Sequence, residues 1–265
     1  MDKFDIIVLG GPSNAAGCGK GPVENAYVPS EQILCLTDDT CLTYRNEGDK
    51  MVIDKVNPPT ATRVTVAEEA EADGWKLGKF VLPFAARYAA GCLQPGRKVL
   101  IVDASEGGTG FARKEWGIGA PLYDRMVRLT GEALAMNPEN RIVAFLWHQG
   151  EHDAYENAEW SPQTRYLTHK ANMTALLNDF FDRFGWMPFV AGGFCDEWYL
   201  QNKAACDAVL TAIRECCQAV KGGFVETAGL ESNHQKVGID DVIHFSREAQ
   251  YRLADLYFEK YLELI

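Results

Sequence analysis

Short apolar runs alternate along the chain with longer amphipathic stretches. The runs predict strands buried on both faces, at Ile6–Leu9, Val99–Val102, Ile142–Trp147, Pro188–Ala191 and Phe224–Thr227. The amphipathic stretches carry apolar residues at helical spacing and predict helices over 78–92, 122–136, 162–184, 198–220 and 247–264. Strands that alternate with helices long enough to cross over predict an α/β fold, with a central parallel sheet and helices on both faces.

The region after the first strand departs from this alternation. Apolar stretches between Gln32 and Val56 are separated by the turn sequence Asn46-Glu47-Gly48-Asp49, which predicts a hairpin-containing insertion beside the edge of the sheet. Acidic residues from Glu68 to Asp73 predict a solvated surface stretch. No repeat, low-complexity tract or proline-rich linker divides the chain, so we expect residues 1–265 to form a single domain.

Composition and net charge limit the kinds of molecule that the protein is expected to bind. The net charge of −11 disfavours nucleic acid and anionic membrane surfaces, and no basic cluster offsets it. The amino terminus has no leader pattern and the chain has no long apolar span, which predicts a soluble cytoplasmic protein or the mature form of a processed one. The eight cysteines fit no zinc motif, and we expect most to be reduced. Cys35 and Cys41 flank a possible turn, and whether they pair is open.

Chemically capable residues follow the predicted strands. Ser13 lies after the first strand, a Glu106–Gly110 loop after the second and His148–Asp153 after the third, while Asp241 and His244 precede the last helix. The carboxyl ends of parallel strands meet at one edge of a sheet, where ligands bind. All four groups are therefore expected to face one crevice.

The expected role of each group follows from what an acyl-transfer reaction needs. A serine hydroxyl needs a base, and His244 is predicted to activate Ser13 while Asp241, three residues earlier, orients the imidazole. Asp240 is a competing orienter, and the spacing favours Asp241.

An oxyanion hole needs two or three donors. The N–H groups of Ser13 and of Gly107 or Gly108, with the side-chain amide of Gln149 or Asn14, are the predicted donors. The carboxylates of Glu151 and Asp153 are expected to bond loop amides and hold Gln149 in place.

These motifs together resemble a known family. Gly11-Pro12-Ser13-Asn14, Gly107-Gly108-Thr109, Trp147-His148-Gln149-Gly150-Glu151-x-Asp153 and Asp241-x-x-His244 resemble, in order and spacing, the sialate O-acetylesterase and acetylxylan esterase family of the SGNH hydrolases. The resemblance covers nearly the whole chain, and its third block is the most specific. It implies a three-layer, flavodoxin-like α/β/α fold and an acetylesterase that acts on acetylated carbohydrates. It also implies the nucleophile, base and orienter roles named above, with a glycine of the second block and Gln149 in the oxyanion hole.

Two positions depart from the family pattern. Pro12 stands where the family usually has glutamine, and His152 stands where it has a small residue. Pro12 removes a side-chain amide near the nucleophile, and His152 adds an imidazole, so substrate preference does not carry over.

Alternatives remain open at this point. His148 and His152, four residues apart, suggest a metal-dependent hydrolase, although the glutamate position and Gly150 do not fit a zinc helix. A carbohydrate-binding protein of the same fold without turnover is the other alternative. The serine esterase itself calls for no metal or organic cofactor. Among the aromatic residues, Trp116 and Trp198 are the predicted sugar contacts.

Overall fold

A computed structural model describes residues 2–48, 50–59, 61–155 and 158–265. The strands are β1 (Lys3–Gly10), β2 (Ile33–Asp38), β3 (Cys41–Glu47), β4 (Lys50–Asn57), β5 (Thr62–Val66), β6 (Glu71–Ala72), β7 (Trp75–Lys76), β8 (Arg97–Asp103), β9 (Arg141–Trp147), β10 (Phe189–Gly192) and β11 (Gly223–Val225). The helices are α1 (Ser13–Ala16), α2 (Val81–Gly91), α3 (Pro121–Ala135), α4 (Glu151–Tyr155), α5 (Pro162–Phe184), α6 (Asp196–Gln201), α7 (Lys203–Ala219), α8 (Asn233–Val237) and α9 (Arg247–Leu262).

The central sheet has the strand order β11-β10-β9-β1-β8-β2-β5 within the described ranges. Its neighbouring strands pair in parallel, except β5, which pairs antiparallel with β2. β1 is central, between β8 and β9, so its carboxyl end lies in the middle of the sheet edge. The predicted α/β fold with a mostly parallel sheet is confirmed.

Each face of the sheet is covered by helices. Alternate residues of β1 point to opposite faces, so Ile6 and Val8 pack in one core cluster while Ile7 and Leu9 pack in the other. The first cluster includes residues of α3, α5 and α7, and the second includes residues of α2 and α9. Burial of side chains of this size stabilises the fold by roughly 1.5–3 kcal/mol each.

Local signals set the ends of α5. Ser161 caps the helix by accepting a hydrogen bond from Thr164 N at 3.1 Å, and Pro162 occupies the first helical position, where it has no N–H to leave unpaired. The helix spans Pro162–Phe184, the predicted range.

Three local predictions differ from the structure. The run Ile33–Leu36 belongs to β2 of the central sheet rather than to the hairpin, because it pairs in parallel with β8. The predicted 198–220 helix is divided into α6 and α7 at Asn202, whose N–H bonds back to Trp198 O and Tyr199 O. Glu69, in the stretch expected to be solvated, is buried against Arg247.

The predicted hairpin is formed by β3 and β4, which pair antiparallel. Asp49, in its predicted turn, lies outside the described residues. All eight cysteines, each in the described ranges, are free thiols, so Cys35 and Cys41 are not joined. No helix in the described part of the chain is both long and apolar enough to cross a membrane.

Candidate active site

The site is built around the carboxyl end of β1. Gly11 has a φ of +136°, which favours glycine, and a Cβ placed there would lie 1.9 Å from the carbonyl oxygen of His148. Glu106 N donates to Gly11 O at 3.0 Å, and His148 N donates to Gly10 O at 3.1 Å. The three predicted loops therefore meet at this turn, and Ser13 begins α1 directly after it.

Ser13, His244 and Asp241, called the triad below, lie in hydrogen-bond contact. Ser13 Oγ is 2.7 Å from His244 Nε2, and His244 Nδ1 is 2.8 Å from Asp241 Oδ1. A carboxylate accepts, so Nδ1 carries the proton in the neutral ring and Nε2 is left to accept from the serine hydroxyl. The orienting contact is made by Asp241.

The segment between β11 and α9 holds this carboxylate. Asn233 N donates to His244 O and His234 N donates to Asp241 O, both at 2.9 Å, so the segment folds back on itself. Asn233 Nδ2 also donates to Asp241 Oδ2 at 2.8 Å. Burial alone would raise the pKa of Asp241, but the hydrogen bonds from His244 and Asn233 outweigh burial and lower that pKa below its ordinary value.

The two predicted oxyanion glycines face different neighbours. A Cβ on Gly107 would lie 3.9 Å from Ser13 Cβ, whereas one on Gly108 would lie 3.9 Å from Arg113 Nη2. Gly107 is therefore the glycine beside the nucleophile. Gly108 has a φ of +73° and provides the turn. The Glu106 N–H bond to Gly11 O fixes this loop against the end of β1.

The Gln149 side chain is fully buried. Its Nε2 donates to Asp153 Oδ2 at 2.7 Å, as expected for a carboxylate that holds this amide. Asp153 also accepts from Ala112 N at 2.8 Å, and His169 Nδ1 lies 2.9 Å from Asp153 Oδ2. Asp153 thus joins the third loop to the segment that follows Gly110.

Asn14 is not positioned to bind an oxyanion. Its Nδ2 donates to Glu151 Oε1 at 2.8 Å and to Ile243 O at 3.2 Å, while Phe245 N donates to its Oδ1 at 3.1 Å. Both amide protons are therefore engaged. Asn14 instead ties α1 to α4 and to the segment Ile243–Phe245, and Glu151 holds Asn14 rather than Gln149.

The two histidines of the metal alternative have different surroundings. His148 is fully buried, with Nδ1 3.0 Å from Tyr257 Oη and Nε2 3.4 Å from Glu151 Oε1. His152 is half-buried on α4, with its Cβ 3.2 Å from a Cβ placed on Gly110. Across the described residues, no three or more His, Cys, Asp or Glu side chains are grouped to hold a metal ion.

The two predicted sugar contacts lie in different environments. Trp116 is 1% exposed, donates its indole N–H to Thr109 Oγ1 at 3.0 Å and packs edge-on against Trp147. A buried indole cannot stack on a sugar ring, so the prediction for Trp116 is corrected. Trp198 is half-buried on α6, and its ring centroid lies 5.9 Å from that of Tyr155.

Sequence reasoning missed three supporting residues. Asn233 orients Asp241, His169 contacts Asp153, and Tyr257 lies beside His148 while donating to Trp147 O at 2.9 Å. The sequence contains a signal for Asn233 only. Ser232-x-x-Gln235 is a capping-box pattern, and it marks the start of α8 at Asn233. His169 and Tyr257 lie on helix faces that look like ordinary core.

Comparison with solved structures defines the class of fold. The chain superposes on the crystal structure of NanS with a TM-score of 0.74 at 17% identity, over 99% of this chain and 97% of that one. An acetyl xylan esterase from Geobacillus stearothermophilus superposes with a TM-score of 0.51 at 10% identity, over 98% and 96% of the two chains. The predicted SGNH-type fold, shared with lipases and acylhydrolases, is confirmed.

The sequence comparisons identify the family. Residues 3–263 match the family "Carbohydrate esterase, sialic acid-specific acetylesterase", and the chain belongs to it. A probable 9-O-acetyl-N-acetylneuraminic acid deacetylase of Escherichia coli (strain K12) is 24% identical over 63% of this chain and 59% of its own length. A probable carbohydrate esterase of Arabidopsis thaliana is 30% identical over 57% of this chain and 55% of its own length. The matched region thus spans a little over half of each curated relative. The resemblance inferred from the motifs is confirmed.

Proposed function

We propose that this protein is a carbohydrate O-acetylesterase that hydrolyses acetyl esters on sugar hydroxyls through a Ser13–His244–Asp241 triad. The observation that carries the proposal is the 2.7 Å distance between Ser13 Oγ and His244 Nε2, with His244 Nδ1 held by Asp241. Family membership supports the substrate class. The relatives named above act, by their names, on acetylated sialic acid and on acetyl xylan, and both substrates are acetyl esters of carbohydrates.

The proposed reaction has two steps. In the first, His244 Nε2 takes the Ser13 hydroxyl proton as Oγ bonds to the acetyl carbonyl carbon, and the carbonyl oxygen becomes an oxyanion. Collapse of this intermediate breaks the carbon–oxygen bond to the sugar, and His244 gives its proton to the departing alkoxide. In the second, a water loses a proton to His244 as its oxygen attacks the acetyl carbonyl carbon. Collapse of this intermediate breaks the bond to Ser13 Oγ, which takes the proton from His244, and the acetyl group leaves as acetate.

The oxyanion is assigned to backbone donors beside the nucleophile. The Ser13 and Gly107 N–H groups are the proposed pair, because Gly107 lies next to Ser13 and has no side chain to block the carbonyl. Gln149 is retained as a proposed third donor on the family resemblance, and its Nε2 has a second proton besides the one donated to Asp153. Preorganised donors of this kind are worth roughly 100-fold or more in kcat each.

Acetate release tests the proposal. The wild-type protein and Ser13→Ala are compared on 4-nitrophenyl acetate and on acetylated monosaccharides, with the exposed serine variant Ser30→Ala as control. We expect Ser13→Ala to lose at least about 1,000-fold in kcat and Ser30→Ala to match wild type. A fluorophosphonate should add to Ser13 in intact-mass analysis. Equal acetate release by wild type and Ser13→Ala would exclude the proposed mechanism.

A further inference from the structure

We propose that Tyr155 and Trp198 form a stacking platform for a second sugar ring, so that the substrate is an acetylated oligosaccharide rather than a single sugar. This inference rests on the proposed esterase function. The two ring centroids are 5.9 Å apart with an interplanar angle of 54°, so two inclined aromatic rings, one from α4 and one from α6, lie side by side. Tyr155 is 63% exposed, whereas Trp198 is half-buried.

The platform lies at the same sheet edge as the triad. α4 begins at Glu151, whose Oε1 binds the amide of Asn14, the residue after Ser13. Tyr155 is four residues further along α4, about 6 Å along the helix axis. The platform is therefore one helical turn beyond a residue that is tied to the nucleophile's neighbour.

A second chain of contacts ties Trp198 to the other end of the triad. Glu197 precedes Trp198 in α6. Its Oε1 lies 2.7 Å from His234 Nδ1, and its Oε2 accepts a hydrogen bond from Ser232 Oγ. His234 N in turn donates to Asp241 O at 2.9 Å. The helix that carries Trp198 is thus fixed to the segment that supplies Asp241.

The chemistry of the platform fits a sugar ring. The C–H groups on one face of a pyranose are weakly positive and apolar, and they complement the negative face of an aromatic ring. Trp198 Nε1–H is buried and has no hydrogen-bond partner among the described residues. Because this atom is buried, the proposed sugar contact uses the ring faces and not this N–H. The occupant we assign is a neutral pyranose joined to the acetylated one.

Substrate length provides the test. We compare kcat/KM for acetylated xylose and glucose with that for the matching acetylated trisaccharides. Wild type should favour the trisaccharide by about tenfold through KM, a gain typical of one aromatic contact. Tyr155→Ala should lose this preference, whereas Tyr155→Phe, which keeps the ring, should retain it. Because Tyr155 is mostly exposed, folding does not depend on it.

Trp186→Ala is the matched control. Trp186 is 54% exposed and precedes β10, at the opposite edge of the sheet, so the variant should keep the trisaccharide preference. Equal kcat/KM for mono- and trisaccharide in wild type, or a preference that survives Tyr155→Ala, would overturn the platform while leaving the esterase function intact. Absence of Ser13-dependent acetate release from every ester would instead overturn the proposed function.

Discussion

The Asn233 side chain connects the loop after Ser13 to the Asp241 carboxylate. Its Nδ2 donates to Asp241 Oδ2 at 2.8 Å and to Cys18 O at 2.9 Å, and its Oδ1 accepts from Lys20 N at 2.7 Å. One fully buried amide therefore fixes both sides of the triad. A carboxylate held in this way keeps its charge and its direction when His244 takes up a proton.

Asn233→Ala should weaken catalysis and change its pH dependence. Loss of a donor to the charged form of Asp241 should raise the pKa of that carboxyl, which the wild-type contacts lower. We expect kcat/KM to fall by roughly 10- to 100-fold, by analogy with other residues that orient a functional ligand, and the loss of activity on the acid side to begin at a higher pH.

A pH–rate profile measures both effects. Asn137→Ala is the control, because Asn137 is also buried and bonds backbone groups, here Asp2 O and Glu139 N, away from the triad. If the acid limb of Asn233→Ala superimposes on that of wild type, Asn233 has only a structural role.

Gly11→Ala should disrupt both fold and site. A methyl group there would meet His148 O, a backbone atom in the middle of the sheet edge, and the φ of +136° is unfavourable for any other residue. We expect a loss of more than about 3 kcal/mol in unfolding free energy, measured by urea denaturation.

Gly229→Ala separates the cost of the clash with His148 O from the cost of placing alanine at a positive φ. Gly229 also has a positive φ, +81°, but nothing lies within 4 Å of its added Cβ. That variant should lose only about 1 kcal/mol. Equal losses in the two variants would show that the approach of His148 O is unimportant.

The two loop glycines should respond differently to alanine. The Gly107→Ala methyl group would lie 3.9 Å from Ser13 Cβ, an ordinary contact that should leave folding unaffected but adds a carbon beside the proposed nucleophile. We expect kcat/KM to fall about tenfold or more, with the midpoint of thermal unfolding unchanged.

Gly108→Ala provides the comparison. Its φ of +73° predicts a loss of about 1 kcal/mol in stability, and its methyl group would face Arg113 instead of Ser13. We therefore expect lower stability with a smaller loss of kcat/KM. The opposite ranking of kcat/KM would assign the donor beside the nucleophile to Gly108.

Much of the fold could be predicted because the signals are local. Continuous apolar runs such as Val99–Val102 mark strands buried on both faces, and Ser161-Pro162 marks the start of α5. Strand order predicted that Ser13, the Glu106–Gly110 loop and His148–Asp153 share one edge, whereas His244 was assigned to it as the base that a serine nucleophile needs.

The remaining features depend on which partner a residue finds in the folded chain. β2 reads like a hairpin strand, and only its pairing with β8 places it in the central sheet. Asn14 has the right chemistry for an oxyanion donor, but Glu151, 137 positions away, takes its amide. Trp116 is buried by Thr109 and Trp147, which no spacing rule identifies as its neighbours.

Glu151 should make stability depend on pH in the acid range. Burial alone would raise the pKa of this carboxyl, but hydrogen bonding and charge from His148 and a hydrogen bond from Asn14 outweigh burial and lower the pKa from 4.5 to about 2. Because this carboxyl has a lower pKa in the folded protein than in the unfolded one, it stabilises the fold at pH values above the unfolded-state pKa. This contribution disappears as the pH falls from about 4.5 through about 2.

Glu151→Gln tests this linkage, because glutamine can still accept from Asn14 but does not titrate. Urea denaturation at several pH values should show the variant well below wild type at pH 7, with the gap closing between about pH 4.5 and pH 2 as wild type loses its charged carboxylate. Glu226→Gln, at an exposed carboxylate paired with Arg214, should follow the wild-type curve closely. A gap between Glu151→Gln and wild type that stays constant across this range would mean that the buried carboxylate stabilises the fold through its shape alone, without its charge.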